Sequence, residues 1–392
     1  MDITSALRLL GGLSPAQFMR RHWQKRPLLV RQAIDAFKPV LTARELCELA
    51  SREEVESRLV VRAAHSGKGV DHWTLRQGPF SRRALPPLRQ PGWTLLVQGV
   101  DQHHRAAHDL LQRFRFLPDA RLDDLMISLA SEGGGVGPHF DSYDVFLLQA
   151  SGSRRWRIGP QSDLSLRADL PLKILRRFEP QEEHVLQAGD MLYLPPGYAH
   201  DGLAMPGRGE PCMTYSIGFR APSRAELASA LLVRMAESLE EAQEPARPVL
   251  YRDAGQPATA QPAVLPEALI GFAQRSLEKV LKDPKALRDA LGRYLSEPKP
   301  GLWFEPCDET WGPGQGLAVH GRTRMMYAGS FLFVNGERFQ MGGADARWLR
   351  RLADERRLGA DEVQRLSAQA RLVVLQWLAD GWLTLHRDSS GQ

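Results

Sequence analysis

Cysteine is scarce in this chain of 392 residues: Cys47, Cys212 and Cys307 are its only three, far apart and odd in number. That excludes a disulfide-stapled secreted scaffold and a thiolate metal site, and it suits a reducing compartment such as the cytoplasm. Long hydrophobic runs are also missing. None approaches the ~20 residues that a membrane-spanning helix needs. The opening residues, MDITSALRLLGGLSPAQF, lack a basic stretch followed by an apolar one, so no secretory signal is expected. Dense blocks of one charge are absent as well. The net charge of +5 is dispersed along the chain, which argues against direct nucleic-acid binding.

What remains is an ordinary globular composition, 43% hydrophobic and 25% charged, with length enough for two or three domains. Ser14-Pro15 reads as an N-cap and N1 pair that starts a helix over 14–24. The run 27–31 reads as a strand, and 42–55 as a second capped helix. Strand-like runs follow at 58–63, 71–78 and 93–100, then an amphipathic helix from His103 to Phe116. His104 and His108 have i, i+4 spacing there, but no carboxylate partner is evident, and a solvated helix face is the reading preferred.

From about 121 to 220 the texture becomes β-rich. Strands are expected at 125–130, 143–150, 154–159, 172–178, within 184–195 and at 212–220, a pattern of a barrel or sandwich. A helix over 223–242 carries an apolar stripe of Leu227, Leu231, Leu232, Met235 and Leu239. A Pro/Ala-rich connector over 244–268 leads to one or two helices within 266–296. The tail offers a hairpin over 323–341 with Asn335-Gly336 at its turn, helices at 344–357 and 360–380, and a strand at 382–386. That order resembles a winged helix.

The chemistry concentrates in 134-GGVGPHFDSYDVF-146. Residues i and i+2 of a strand share a face, so His139 and Asp141 project side by side. Such a pair could hold a metal, exchange a proton, or make a buried hydrogen bond. A third ligand is available in 189-GDMLYLPPGYAHDG-202, where a Pro-Pro-Gly turn sets His200 at the start of a strand. Two imidazoles and one carboxylate, with the opposite face open, form the facial triad of non-haem Fe(II) oxygenases. His-x-Asp alone is a weak signal. In a β-rich segment, with the second histidine about sixty residues on, it is much stronger.

The run DLMISLASEGGGVGPHFDSYDVFLLQASGSRRWRIG (124–159), with GDMLYLPPGYAHDG and MTYSIGFRAPSRAEL (213–227), resembles the JmjC-type cupin oxygenases that hydroxylate ribosomal proteins, nearest to the bacterial arginine-hydroxylating branch. The resemblance implies a mainly β fold with helices: a double-stranded β-helix core, helices that dimerise, and a C-terminal winged-helix-like domain. The corresponding boundaries are 1–222, 223–300 and 301–392. It implies Fe(II) held by His139, Asp141 and His200, and 2-oxoglutarate as cosubstrate. Arg154 matches the residue that pairs with the distal carboxylate of 2-oxoglutarate, and Ser128 a hydroxyl that assists it. A planar guanidinium fork suits that carboxylate. Arg155 points away from Arg154 along the same strand, and Arg157 is expected at the surface. The implied reaction oxidises 2-oxoglutarate to succinate and CO2 and hydroxylates the β-carbon of an arginine in large-subunit ribosomal protein sixteen.

Tyr143, Asp144 and Asp201 are the expected partners of a substrate guanidinium, and the glycines at 133–135 and 137 would let a peptide backbone approach the metal. Three other readings compete: a metal-binding cupin of different chemistry, a decayed cupin that only binds partners, and a lysine demethylase. Arg154 argues against the first, since other cupin chemistries need no dicarboxylate clamp. An intact triad argues against the second. No histone-reader module is present to favour the third. Arginine and histidine hydroxylation cannot be separated from the site residues alone. The stripe on 223–242 further suggests a homodimer.

Overall fold

A computed structural model of the chain describes residues 2–63, 72–207, 210–241, 249–312 and 314–387. The chain divides into two compact units, with the boundary between Ala221 and Pro222. The first residues of the Pro/Ala connector, 244–248, lie outside the described residues.

The first unit holds eleven described strands: β1 Leu28–Val30, β2 Ser57–Ala63, β3 His72–Gln77, β4 Trp93–Val97, β5 Leu122–Ala130, β6 Val145–Ser151, β7 Ser153–Gly159, β8 Glu182–Gln187, β9 Met191–Leu194, β10 Ala199–Ala204 and β11 Cys212–Phe219. Eight form one antiparallel sheet in the order β1-β9-β6-β11-β5-β4-β2-β3, and three form a second, β10-β7-β8. Strand β6 explains the layering. Its alternate residues Phe146 and Leu148 belong to the large core under the N-terminal helices, with Phe18, Leu46 and Leu110. Val145 and Leu147 face the other way, against Trp156, Ile158 and Leu186 of the small sheet. Both faces are covered, so the strand is apolar throughout rather than alternating. Two antiparallel sheets face each other around an inner space, the double-stranded β-helix.

The helices over Pro15–Arg21 and Ala43–Leu49 begin at full capping boxes, Ser14 with Gln17 and Thr42 with Glu45. Two expectations fail in this unit. The run 172–178 is not a strand: Leu175 makes one bridge to Leu166, and the amide of Arg167 donates to the carbonyl of Ile174 at 2.9 Å, so the segment folds onto itself. His108 is buried rather than solvated, because the helix Arg105–Gln112 turns Ala107, His108, Leu110 and Leu111 inward.

The second unit begins with helices Arg224–Glu241, Glu267–Leu281 and Pro284–Ser296. It continues with β12 Gln315–Val319, β13 Met325–Ala328, β14 Phe331–Val334 and β15 Glu337–Gln340. Helix Asp345–Glu355, β16 Arg357–Leu358, helices Ala360–Gln364 and Ala368–Ala379, and β17 Leu383–Arg387 complete it. At the β14–β15 turn both Asn335 (φ 50°) and Gly336 (φ 89°) are left-handed, as a two-residue hairpin of this sequence requires. The helix expected over 360–380 is broken: the Ser367 hydroxyl accepts the Ala370 amide and starts a new helix. Leu317, Leu332, Leu352, Trp348 and Trp377 make the core. No described helix is long and apolar enough to cross a membrane.

Candidate active site

His139 and His200 face each other across an antiparallel bridge at the rim of β10. The His139 amide donates to the His200 carbonyl at 2.9 Å, and the His200 amide donates back at 2.8 Å. Their ring centroids are 4.2 Å apart. The Pro-Pro-Gly turn closes the group, because the Gly197 amide donates to the Asp141 carbonyl at 2.7 Å. Asp141 Oδ2 lies 3.7 Å from His200 Nε2. One donor atom from each of His139, Asp141 and His200 lies within 4.8 Å of the others, and no other such trio of His, Cys, Asp and Glu occurs among the described residues.

Both rings are oriented in the same way. His139 Nδ1 is 2.9 Å from the Gly137 carbonyl, and His200 Nδ1 is 2.9 Å from the Tyr198 carbonyl. A carbonyl can only accept, so each Nδ1 carries the proton and each Nε2 is left with its lone pair free for a metal. Burial, reinforced by the neighbouring His139, pushes the His200 pKa down to about 4. Its imidazole is therefore neutral, the form that ligates.

Deeper in the barrel, β7 alternates. Arg154, Trp156 and Ile158 are buried, whereas Arg155 and Arg157 are half-buried. Pairing of β7 with β10 sets His200 opposite Ile158, Gly202 opposite Trp156 and Ala204 opposite Arg154. Gly202 has to be glycine, since a Cβ there would stand 2.5 Å from the Trp156 indole. Four residues of strand, ~13 Å, separate the positions of His200 and Arg154. Arg154 is 4% exposed, and its Nε and Nη2 find no hydrogen-bond partner among the described residues. A buried cation in that state calls for an anion. Polar groups share this inner wall. The Ser128 hydroxyl donates to the Thr214 carbonyl at 3.3 Å, and the Thr214 hydroxyl donates to Gln149 at 2.8 Å. Three N/O ligands at the rim and an orphaned guanidinium at the base fit Fe(II) and a five-carbon dicarboxylate.

The carboxylates expected at the mouth fare differently. Asp144 is fully buried and accepts hydrogen bonds from Tyr193 (2.6 Å), Gln24 (3.1 Å) and Arg121 (3.3 Å). It is a structural group and corrects the expectation that it meets substrate. Asp201 is bound by Arg157 at 2.6 Å, so Arg157 is not the idle surface residue expected. Both line a cavity of about 230 Å³ outside the small sheet. Tyr143 keeps part of its ring in solvent. Burial, then the charges of Asp141 and Asp124, raises its hydroxyl pKa. Asp124 escaped the sequence reading. A Cβ on Gly218 would lie 3.7 Å from Asp124 Oδ1 and 3.8 Å from the Tyr143 ring, so the two flank one spot at Gly218. Two adjacent aspartates in a strand signal only that one points inward; which one depends on register.

The glycines before His139 act first within the fold. A Cβ on Gly135 would meet the Gly202 carbonyl at 2.6 Å, so this segment lies directly on β10.

Comparison with known proteins places this arrangement. Residues 109–227 match the JmjC domain and residues 279–384 the ROXA-like winged helix. The chain is 36% identical to the ribosomal protein uL16 3-hydroxylase of Escherichia coli, over 82% of this chain and 84% of that protein. A probable ribosomal oxygenase of Haemophilus influenzae is 35% identical over 55% of this chain and 52% of its own. The crystal structure of YcfD from Escherichia coli superposes with a TM-score of 0.80 at 32% identity, covering 95% of this chain and 98% of that one. The same enzyme in complex with cobalt and 2-oxoglutarate superposes with a TM-score of 0.76 at 32% identity and the same coverage. With relatedness along nearly the whole length and both domains matched, the chain belongs to the JmjC family of ribosomal oxygenases.

Proposed function

We propose that this chain is an Fe(II)- and 2-oxoglutarate-dependent hydroxylase that adds oxygen to the β-carbon of an arginine in ribosomal protein uL16. The observation that carries the reading is Arg154, a buried guanidinium whose Nε and Nη2 have no hydrogen-bond partner among the described residues, at the base of a barrel whose rim holds His139, Asp141 and His200. His139, Asp141 and His200 would hold the iron through Nε2, a carboxylate oxygen and Nε2. Arg154 would grip the distal carboxylate of 2-oxoglutarate, with Ser128 as a further polar contact. When bound, iron and 2-oxoglutarate supply the oxidising chemistry, with succinate and CO2 as co-products. The protein orients and excludes water: Trp156 packs between the two ends, 5.8 Å from the His200 ring.

For the substrate side chain, Asp124 takes the role first assigned to Asp144. With Tyr143 it offers an acid and an aromatic face to a guanidinium beside the iron, a pair that disfavours neutral side chains. Asp201 serves through Arg157 rather than alone. The domain boundaries 1–222, 223–300 and 301–392 and a cytoplasmic homodimer belong to the same reading.

The test is incubation of the purified protein with Fe(II), 2-oxoglutarate and a peptide spanning the target arginine, read by mass spectrometry. One oxygen gained on that arginine, with succinate in step, is expected. Oxygen on histidine with arginine untouched would move the chain to the histidine-hydroxylating branch and leave the iron chemistry standing.

A further inference from the structure

The inner face of the large sheet carries two polar groups that the fold does not use. Alternation along β2, β4 and β5 sends Leu59, Leu95 and Ile127 into the large core and Val60, Leu96 and Met126 to the other side. Arg58 and Gln98 continue that second set. Arg58 pairs with Leu96 and Leu96 with Ser128, and the Gln98 amide extends the ladder by donating to the Glu56 carbonyl at 2.9 Å. Arg58 and Gln98 are thus diagonal neighbours on adjacent strands, ~7 Å apart. Both residues are half-buried. Arg58 Nε and Gln98 Oε1 are themselves shielded from solvent and have no hydrogen-bond partner among the described residues.

The pair neighbours the residues assigned to the substrate side chain. Gly99, next to Gln98, donates its amide to Asp124 Oδ2 at 2.9 Å. Tyr143 follows the ligand Asp141 by two residues. Burial, then the charges of Asp141, Asp124 and Asp123, raise the pKa of the Tyr143 hydroxyl, and the Arg58 guanidinium opposes them. Arg58 therefore lies within electrostatic reach of that ring.

We propose that Arg58 and Gln98 form a subsite for the main chain of the polypeptide substrate beside its oxidised residue, the guanidinium donating to a peptide carbonyl and Gln98 Oε1 accepting a peptide N–H. The proposal rests on the reading of the chain as a protein hydroxylase and deepens it, by stating how the site holds the substrate backbone as well as its side chain. In an extended chain the N–H and C=O of one residue point to the same side, which is how facing strands exchange two bonds. A donor and an acceptor set diagonally on a sheet face offer the matching complement. A carboxylate would satisfy Arg58 and leave Gln98 Oε1 without a donor. A cationic side chain would satisfy Gln98 and meet the like charge of Arg58. Val60 and Leu96, both buried, share this face with the pair. An apolar surround strengthens hydrogen bonds made there and makes an unpaired group costly.

The test uses fluorescein-labelled peptides spanning the target arginine, in which one amide at a time on either side of it is replaced by an ester, so that a single main-chain N–H is lost. Binding to the full-length protein with Fe(II) and 2-oxoglutarate under argon is read by anisotropy, and turnover in air by succinate release. At one position the ester should weaken binding to wild type about fivefold or more, and in Gln98→Met the same ester should cost less than about twofold. Arg58→Met should weaken the parent peptide about tenfold or more, since the lost donor is charged, with the change in KM rather than kcat. A buried polar atom without a partner adds nothing to the fold, so neither variant should melt below wild type. The ester scan on wild type needs no variant, and a scan in which no position weakens binding would overturn the proposal. So would an ester effect that Gln98→Met leaves intact, or variants whose binding falls only in step with their melting temperature. An Asp or Glu of the peptide whose amide version binds more weakly to wild type but equally to Arg58→Met would make Arg58 a side-chain site and overturn the main-chain assignment. Failure of the hydroxylase reading looks different: the ester effect that depends on Gln98 would stand while no peptide is oxidised.

Discussion

The Nε2 atoms of His139 and His200 are turned toward one point because each ring is held by the carbonyl two residues before it in the chain, at 2.9 Å in both cases. The ligand geometry is thus written into the backbone. His139→Ala, Asp141→Ala and His200→Ala should each abolish 2-oxoglutarate turnover and lower bound iron sharply, with melting temperatures near that of the metal-free wild type. Metal analysis and succinate assays on the purified variants check this. Near-normal turnover of Asp141→Ala with iron bound would remove the triad assignment.

Arg154→Ala should raise the KM for 2-oxoglutarate at least about thirtyfold, since truncating one member of a buried charge pair typically costs ~2–5 kcal/mol. Iron retention should fall less, because the guanidinium lies ~13 Å of strand from the ligands. An unchanged KM would transfer the clamp to another cation.

Much of this architecture was legible because local rules and global fold agree. Ser14, Thr42 and Asn335-Gly336 announce caps and a turn that the structure adopts. His139 and Asp141 were readable because alternation along an extended segment is a local property. What escaped depends on partners distant in sequence. Asp144 meets Gln24, Arg121 and Tyr193, from three other parts of the chain. Arg157 meets Asp201 through strand register alone. The inward direction of Asp124 likewise follows from its place in the sheet, which no spacing rule reports.

Asp190 gives a pH-dependent test. Burial would push its pKa up, but the amides of Gln32 and Gln187 and the Arg31 guanidinium outweigh it and hold the carboxyl below the usual range. A carboxylate lowered in the folded state adds stability above its unfolded pKa of about 3.9, lost as pH falls through the folded value. Asp190→Asn should therefore lose ~1.5–3 kcal/mol at neutral pH, with the gap to wild type closing below about pH 4. Urea unfolding at pH 7 and pH 3.5 reads it. A pH-independent gap would contradict the ionic role.

The dimer prediction has to change face. On helix Arg224–Glu241, Met235 is 5% exposed, and Arg234 reaches Glu297 at 3.0 Å, so that side is closed within the chain. Leu232 and Leu239, two turns apart, are 52% and 57% exposed. Leu232→Asp/Leu239→Asp should give a folded monomer where wild type is a dimer by light scattering. Met235→Asp should destabilise the unit itself. A monomeric wild type at micromolar concentration would remove the idea.

Asp144 and Asp124 should part company under mutation. Asp144 is enclosed with three donors; burial, then the hydrogen bond that the Tyr193 hydroxyl donates to Asp144, raises the pKa of Tyr193. Asp144→Ala would strand the Arg121 cation and two neutral donors, a loss of ~3–5 kcal/mol. Tyr193→Phe removes one donor and should cost ~1–2 kcal/mol. Neither should change KM for an arginine peptide in the fraction that stays folded. In the proposed reading Asp124 meets the substrate guanidinium together with Tyr143; its Oδ2 accepts the Gly99 amide at 2.9 Å. Asp124→Asn keeps the size of the side chain and can keep that bond through its amide oxygen, and its denaturation curve reports whether the fold survives. The charge is lost, and KM for the arginine peptide should rise about tenfold or more. A lysine peptide, poor on wild type, should gain nothing. Denaturation curves and steady-state kinetics on both variants decide the matter. If Asp144→Ala melts normally and weakens peptide binding while Asp124→Asn does not, the two aspartates have been assigned the wrong way round.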